Sequence, residues 1–140
     1  MTDATISKPR LTLDGAHRVL EAARAHAQTI GIPMSIAVVD QGGALIVFVR
    51  MDGAAFASVE LAIDKAHSAA GFGYPTEDFF TLIKDDLSLL HGLTTHGRLA
   101  LFAGGAPIVV QDAVVGALGV SGGRSVDDVE VVKAGLGALS

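Results

Sequence analysis

The stretch that decides the fold is VVDQGGALIVFVRMDGAAFASVELAIDKAHSAA, residues 38–70. Two apolar runs flank a Gln-Gly-Gly turn, whose glycines can take the positive φ that a tight hairpin requires. Because both runs are apolar at nearly every position, we expect strands that are covered on both faces. Apolar residues then recur at steps of three and four, which predicts an amphipathic helix. Its buried stripe would comprise Phe56, Val59, Ile63, Ala66 and Ala70.

Helical patterns also lie before and after this stretch. Near the amino terminus, Thr12 stands where a capping hydroxyl is needed, and Gly31 and Pro33 end the pattern. Near the carboxyl terminus, Ser125 and Asp128 resemble a capping pair before another apolar stripe. The first stripe comprises Leu13, Ala16, Leu20, Ala23, Ala27 and Ile30, and the second comprises Val129, Val132, Leu136 and Leu139.

Between these helices the pattern changes from helix to strand. YPTEDFFTLIKDD (74–86) predicts a short helix, LSLLHGLTTHGR (87–98) a loop, and the run that ends at residue 123 about three strands. Gly116 and Gly119 thin the last strand, which indicates that a helix, a ligand or a neighbouring backbone approaches it closely. The order of elements predicts an α+β fold, with an antiparallel sheet between helical layers, in a single domain over residues 1–140.

Composition narrows the classes of partner. The net charge is −5 with no basic cluster, so the sequence offers no electrostatic footprint for nucleic acid or an anionic membrane. It has neither an apolar run of membrane-spanning length nor a signal-peptide pattern, and we expect a cytoplasmic protein. With no cysteine, disulfides, thiolate metal sites and thioether-linked haem are excluded. Because half of the residues are apolar, we expect a homo-oligomer, a dimer or larger, with the second helix in the contact.

Four motifs, in order, resemble those of the GlcG/HbpS family, also called the haem-degrading family, which includes the carboxy-terminal domain of PduO-type proteins. They are VVDQGGALIVFVRMDGA, AIDKAHSAA, FAGGAPIVV, and VVGALGVSGG followed by DDVEVVKAG. The resemblance covers nearly the whole chain. It implies a profilin-like α-β-α sandwich that assembles into dimers or larger oligomers, with haem binding in some members. A shared fold does not by itself decide the function.

Polar residues stand where the apolar runs end. Asp40 closes the first run and either bonds the amides of the following turn or transfers a proton. Asp52 follows the second run and either caps the next helix or faces a ligand. Arg50 either pairs with a carboxylate or anchors an anionic ligand near the helix start, where the helix dipole also favours negative charge.

Lys65 and Ser121 are further candidates for a ligand site. Lys65 lies at the edge of the helical stripe, where it either extends to solvent along its aliphatic stem or is held in a pocket that lowers its pKa. In a pocket it would serve as a base, a Schiff-base amine or an anion contact. Ser121 ends the glycine-thinned strand and would lie beside a bound anion. We predict that Lys65 and Arg50 point into one cavity opposite Gly116.

The histidines are weak candidates for haem iron, for which imidazole is a common ligand. No two of them have the i, i+4 spacing of a helical metal site, and a plain surface position is the alternative for each. His67 departs from the residue that many family members have at its position, so no family role transfers to it. The candidates are His17, His67, His91 and His96, with His26, Met51 and Tyr74 as more remote ones.

These residues leave two main functions open. The first is an oligomer that binds haem or another flat anionic ligand non-covalently, in a pocket near Arg50, Asp52, Lys65 and Ser121. The second is a small lyase or isomerase acting on an organic acid, in which Arg50 fixes a carboxylate and Lys65 or Asp40 moves a proton. A third alternative is an accessory subunit whose polar residues only cap and pair.

Overall fold

A four-stranded antiparallel sheet forms the centre of the molecule, in a computed structural model that describes residues 3–140. Its strands are β1 Ser35–Asp40, β2 Leu45–Arg50, β3 Gly105–Val110 and β4 Ala113–Ser121, in the spatial order β2-β1-β4-β3. The helices are α1 Leu13–Thr29, α2 Ala57–Phe72, α3 Thr76–Ile83, α4 Leu87–Leu93 and α5 Ser125–Leu136, followed by a 3-10 turn at Gly137–Leu139.

Helices cover both faces of the sheet. Side chains alternate along β1, so Ile36 and Val38 join the cluster with α1 and α5, whereas Ala37 and Val39 join the cluster with α2. The predicted α+β sandwich is therefore confirmed. β1 is covered on both faces as expected, but β2 lies at the sheet edge and the chain itself covers it only in part.

Of the helix caps predicted from the sequence, the one at α1 is present and the one at α5 is not. The Thr12 hydroxyl accepts a hydrogen bond from the Gly15 amide at 3.0 Å, so the predicted cap of α1 is confirmed. The predicted capping pair of α5 is wrong. Asp127 accepts from the Arg124 amide at 3.1 Å, while Asp128 is turned into the protein.

The buried face of α2 differs from the predicted stripe. Phe56 precedes the helix and is 83% exposed. A Cβ placed on Gly119 of β4 would lie 2.6 Å from the Ala66 amide nitrogen, so the backbones of α2 and β4 are in direct contact. Such a close approach admits only small residues, such as Ala62 and Ala66, where α2 crosses Gly119, and Ala66 is the one residue of the predicted stripe that is fully buried. The residues that α2 buries are Ser58, Ala62, Lys65, Ala66, Ser68 and Ala69.

The segment between α2 and β3 was predicted least well. The short helix over 74–86 is present as α3, but the predicted loop over 87–98 contains α4, whose start Asp86 caps by accepting from the Leu89 amide at 3.1 Å. The carboxy-terminal half of the sheet has two strands where about three were predicted. The apolar residues Leu101 and Phe102 belong to a loop, because Gly104, with φ of 122°, breaks the run before β3 begins.

Candidate functional site

Lys65 lies inside the fold, with 1% of the residue exposed. Its ammonium donates to the Asp128 carboxylate of α5 at 3.0 Å and to the Val120 carbonyl of β4 at 2.9 Å, and it lies 4.8 Å from the centre of the Phe102 ring. The ion pair therefore links α2 to α5, two helices on opposite faces of the sheet. Burial lowers the pKa of Lys65 and raises the pKa of Asp128, while the attraction between the two charges opposes both shifts.

Two glycines before and at the start of β3 make room for this lysine. A Cβ on Gly104 would lie 2.8 Å from the Lys65 Nζ, and a Cβ on Gly105 would lie 2.9 Å from the Lys65 carbonyl carbon. Lys65 is therefore held in a pocket, which is one of the two alternatives that the sequence left open. Asp128 and backbone groups fill that pocket. In this arrangement Lys65 fixes the packing of α2.

Arg50 and Asp52 lie at a different place, in a cavity of about 530 Å³ beside α1. Arg24 also lines this cavity, but Glu21 and Gln28 accept its hydrogen bonds. Arg50 has no ion-pair partner among residues 3–140. Since Lys65 is enclosed by Asp128 and β4, the prediction that Lys65 and Arg50 point into one cavity is wrong.

Asp40 bonds within a turn, and Ser121 is buried at the end of a strand. Asp40 accepts hydrogen bonds from the amides of Gly42 at 2.9 Å and Ala44 at 3.0 Å, which is the turn role that the sequence offered as one alternative. Ser121 ends β4 opposite Ser35 and is buried. The volume freed at Gly119 is occupied by the backbone of α2, so the approach predicted from the glycines is made by a helix.

Two of the candidate histidines line one cavity. His67 of α2 and His96 of the α4–β3 loop border a space of about 410 Å³. Phe72, Leu93 and Leu99 supply apolar walls. Arg98 supplies a guanidinium that is 56% exposed in its side chain and lies 3.6 Å from an Asp64 carboxylate oxygen. An open cavity with apolar walls, two imidazoles and a cation at its rim suits a flat, anionic, metal-containing ligand.

His67 contributes a buried ring nitrogen to this region. Its Nδ1 has no hydrogen-bond partner among residues 3–140 and faces the β1–β2 turn, where a Cβ on Gly43 would lie 2.7 Å from it. The carbonyl oxygen of the Gln41 side chain, in the same turn, is also buried without a partner within that range. Because Nδ1 is buried against this turn, Nε2 is the ring nitrogen of His67 that a ligand could reach.

The other candidate ligands lie outside this cavity. His17 is exposed on α1, His91 is exposed on α4, and the His26 Nε2 lies 3.2 Å from a Glu130 carboxylate oxygen. The Met51 sulfur accepts from the Met34 amide at 3.4 Å, and Tyr74 stacks against an aromatic neighbour. The structure therefore brings together His67 and His96 but separates them from Arg50, Asp52, Lys65 and Ser121.

Residues 3–140 contain neither a preformed metal cluster nor a membrane-spanning helix. Over residues 3–140, no three or more His, Asp or Glu side chains group closely enough to hold a metal ion by themselves. Within the same residues, every helix is too short or too polar to cross a lipid bilayer.

Arg98 is the residue of this cavity that the sequence reasoning missed. It lies in the stretch that shows no periodicity, two residues after His96. The sequence signal was present as His-Gly-Arg at the end of a predicted loop, a place where ligand-binding residues are common. What the sequence did not indicate is that this loop packs next to His67.

A family model described as haem degrading protein HbpS-like matches residues 11–137. The chain belongs to this HbpS-like family. An uncharacterized 15.0 kDa protein from the dhaT-dhaS intergenic region of Citrobacter freundii is 34% identical over 120 residues, which are 84% of each chain.

Solved structures show the same fold. The crystal structure of Klebsiella pneumoniae ORFY matches with a TM-score of 0.92 at 28% identity, over 99% of this chain and 97% of that one. A PduOC–haem complex matches with a TM-score of 0.86 at 27% identity, over 94% of this chain and 96% of that one. The second structure holds haem, so haem binding occurs on this fold.

Proposed function

We propose that this HbpS-like chain binds haem non-covalently in the cavity shared by His67 and His96. The observation that carries the proposal is the meeting of two imidazoles, apolar walls and the Arg98 guanidinium in one space. Imidazole nitrogen is a common protein ligand of haem iron, apolar side chains pack on the porphyrin, and guanidinium pairs with carboxylates such as the propionates. The haem bound by PduOC supports the same ligand class for this chain.

The state of His67 fits this role. Its Nδ1 is buried against the β1–β2 turn, so we place the iron at Nε2. His96, on the loop across the cavity, supplies a second imidazole. Bound haem would supply the redox and ligand-binding chemistry of iron, while the chain holds the porphyrin and limits its contact with water.

Titration of haemin into the purified protein tests this proposal. We expect the Soret band of haemin to shift when wild type binds it. The affinity should fall at least about tenfold in His67→Ala or His96→Ala, because loss of a residue that ligates a metal or orients its ligands has effects of this size. His17→Ala and His91→Ala are matched controls, since both rings are exposed outside the cavity. If all four variants keep the wild-type Soret band and affinity, histidine ligation in this cavity is wrong.

A carboxylic acid bound at Arg50 is the second candidate function. Its support is that Arg50 borders a cavity of about 530 Å³ and forms no ion pair within residues 3–140. Lys65 and Asp40, the proposed acid–base residues of an enzyme, are bonded elsewhere, so this site favours binding over proton transfer. Arg50→Ala should abolish binding of a colourless organic acid, measured by calorimetry, and leave the fold unchanged.

We also propose that the chain self-associates. Large apolar side chains remain exposed around α3, α4 and the loop before β3, and surface of this kind favours a contact between copies of the chain. Light scattering at micromolar concentration should give a mass of a dimer or larger, and a monomer mass would contradict this. The exposed residues are Tyr74, Phe80, Leu82, Leu87, Leu89 and Phe102.

A further inference from the structure

Ser68 follows His67 on α2 and is 2% exposed. Its hydroxyl accepts a hydrogen bond from the Ala100 amide at 2.9 Å and donates one to the Arg98 carbonyl at 3.3 Å. Both groups belong to the backbone of the α4–β3 loop. One side chain of α2 therefore holds the loop by two bonds, directly beside the cavity.

Ser68 holds the part of the loop that carries His96 and Arg98, whereas the buried Thr76 of α3 holds the loop further on by donating to the Phe102 carbonyl at 2.6 Å. None of the residues of α4 is buried in the described chain, and His96, Gly97 and Arg98 are exposed. Asp64, one turn before Ser68 on α2, pairs with the Arg98 guanidinium at 3.6 Å, but this pair is partly exposed and therefore weak. The buried Ser68 bonds are the stronger connection, since loss of the hydroxyl would leave a buried amide without a partner.

We propose that Ser68 is a positioning residue, which fixes His96 and Arg98 opposite His67 and so sets the width of the cavity. This inference rests on the proposed haem-binding function for its ligand. Ser68 does not contact the ligand in this proposal. It acts through the backbone at Arg98 and Ala100, whose position places the two ligand-facing side chains.

Ser58 offers a matched control on the same helix. It is buried to a similar degree, and its hydroxyl bonds to the Ser35 hydroxyl at 2.8 Å, in the interior beside β1. Ser58→Ala and Ser68→Ala thus each remove one buried hydroxyl from α2. Only Ser68→Ala releases the loop that carries His96.

The experiment combines haemin titration with hydrogen exchange. We expect Ser68→Ala to lower haemin affinity about 10–100-fold and to shift the Soret band, as loss of an orienting partner does at a metal site. Ser58→Ala should keep both, and Ser68→Thr, which retains the hydroxyl, should restore both. Equal haemin affinity and equal spectra in Ser68→Ala and Ser58→Ala would overturn the proposal.

Hydrogen exchange separates this inference from the proposed function. If wild type fails to bind haemin, haem binding is wrong, but faster amide exchange over residues 91–100 in Ser68→Ala than in Ser58→Ala would still support positioning. Equal exchange in the two variants would overturn it. If Ser68→Ala does not fold, Ser68→Cys takes its place, because it keeps the size of the side chain but forms weaker hydrogen bonds. Exchange over residues 91–100 equal to that of Ser58→Ala would then overturn the proposal.

Discussion

α2 and the segment from α3 to the start of β3 are neighbours with opposite packing. α2 presses small side chains and a buried lysine onto β4, so closely that a Cβ on Gly119 would lie 3.0 Å from the Ala66 Cβ. The segment beyond it keeps large apolar side chains on the outside, such as Leu87, which is 66% exposed. Small residues thus form the close contact between α2 and β4, whereas several large apolar side chains of the neighbouring segment stay exposed.

This difference indicates a division of roles. α2 and the sheet form a fixed surface that carries His67, and the looser segment supplies His96, Arg98 and apolar walls. Ligand-binding residues are often found on loops held by a rigid scaffold. Mutations in α2 and the sheet should therefore change mainly the free energy of unfolding. Mutations in the segment from α3 to β3 should change mainly ligand binding and self-association.

The largest effect on stability is expected from Asp128→Asn. This change leaves the buried Lys65 ammonium without its carboxylate, and breaking a buried pair typically costs about 3–5 kcal/mol. Urea denaturation measures the free energy of unfolding. The double variant Lys65→Met, Asp128→Leu is the control, because an apolar replacement of both partners is often neutral or stabilising. A loss in the double variant as large as in Asp128→Asn would contradict the account of a charge left unpaired.

The same variant predicts a pH dependence. Burial holds the pKa of Lys65 below its usual value of 10.5, and without the Asp128 charge that pKa falls further. Between the folded and unfolded pKa values the unfolded chain binds more protons, so stability rises as pH rises. The deficit of Asp128→Asn against wild type should therefore shrink as the pH is raised toward 10.5, the usual pKa of lysine. A deficit that stays constant as the pH rises would contradict this account, because it would mean that loss of the Asp128 charge does not lower the pKa of Lys65 further.

Gly119→Ala tests the close packing of α2 and should have the next largest effect. The new methyl would overlap the backbone of α2 near the Ala66 amide, and we expect a loss of about 3 kcal/mol, at the upper end for overpacking. Gly92→Ala in α4 is the matched control, because no atom lies within 4 Å of a Cβ there. The free energy of unfolding of Gly92→Ala should rise by about 0.5–1 kcal/mol, because alanine is favoured over glycine inside a helix. Similar losses at both glycines would show that the two regions do not differ in packing.

The smallest effect on stability is expected from Leu87→Ser. The side chain is 66% exposed, so the free energy of unfolding should change by no more than about 0.5 kcal/mol. The mass measured by light scattering should fall if the exposed apolar side chains form a contact between copies. An unchanged mass would remove Leu87 from that contact.

The fold could be predicted from the sequence because periodicity and turn glycines report on local structure. Thr12 marked the start of α1 and the Gln-Gly-Gly turn marked the β1–β2 hairpin. The buried face of α2 could not be predicted in this way, because it depends on how near β4 lies. Phe56 fits a helical stripe by spacing, yet only residues as small as Ala62 fit against Gly119.

The candidate site was harder to predict than the fold. Arg50 and Lys65 are close in sequence and stand out by charge, but the sheet and Asp128 separate them in space. His67 and His96 are distant in sequence and line one cavity only in the folded chain, where Ser68 bonds the α4–β3 loop to α2. Such a meeting depends on tertiary contacts, which periodicity and motif spacing do not report.

Amide hydrogen exchange with and without haemin tests the central claim most directly, because it shows where the ligand sits. The account predicts slower exchange in the presence of haemin over residues 91–100 and around His67, with no change over residues 24–28 and 49–53 beside Arg50. Slower exchange confined to residues 24–28 and 49–53, with residues 91–100 unchanged, would contradict a haem site between His67 and His96.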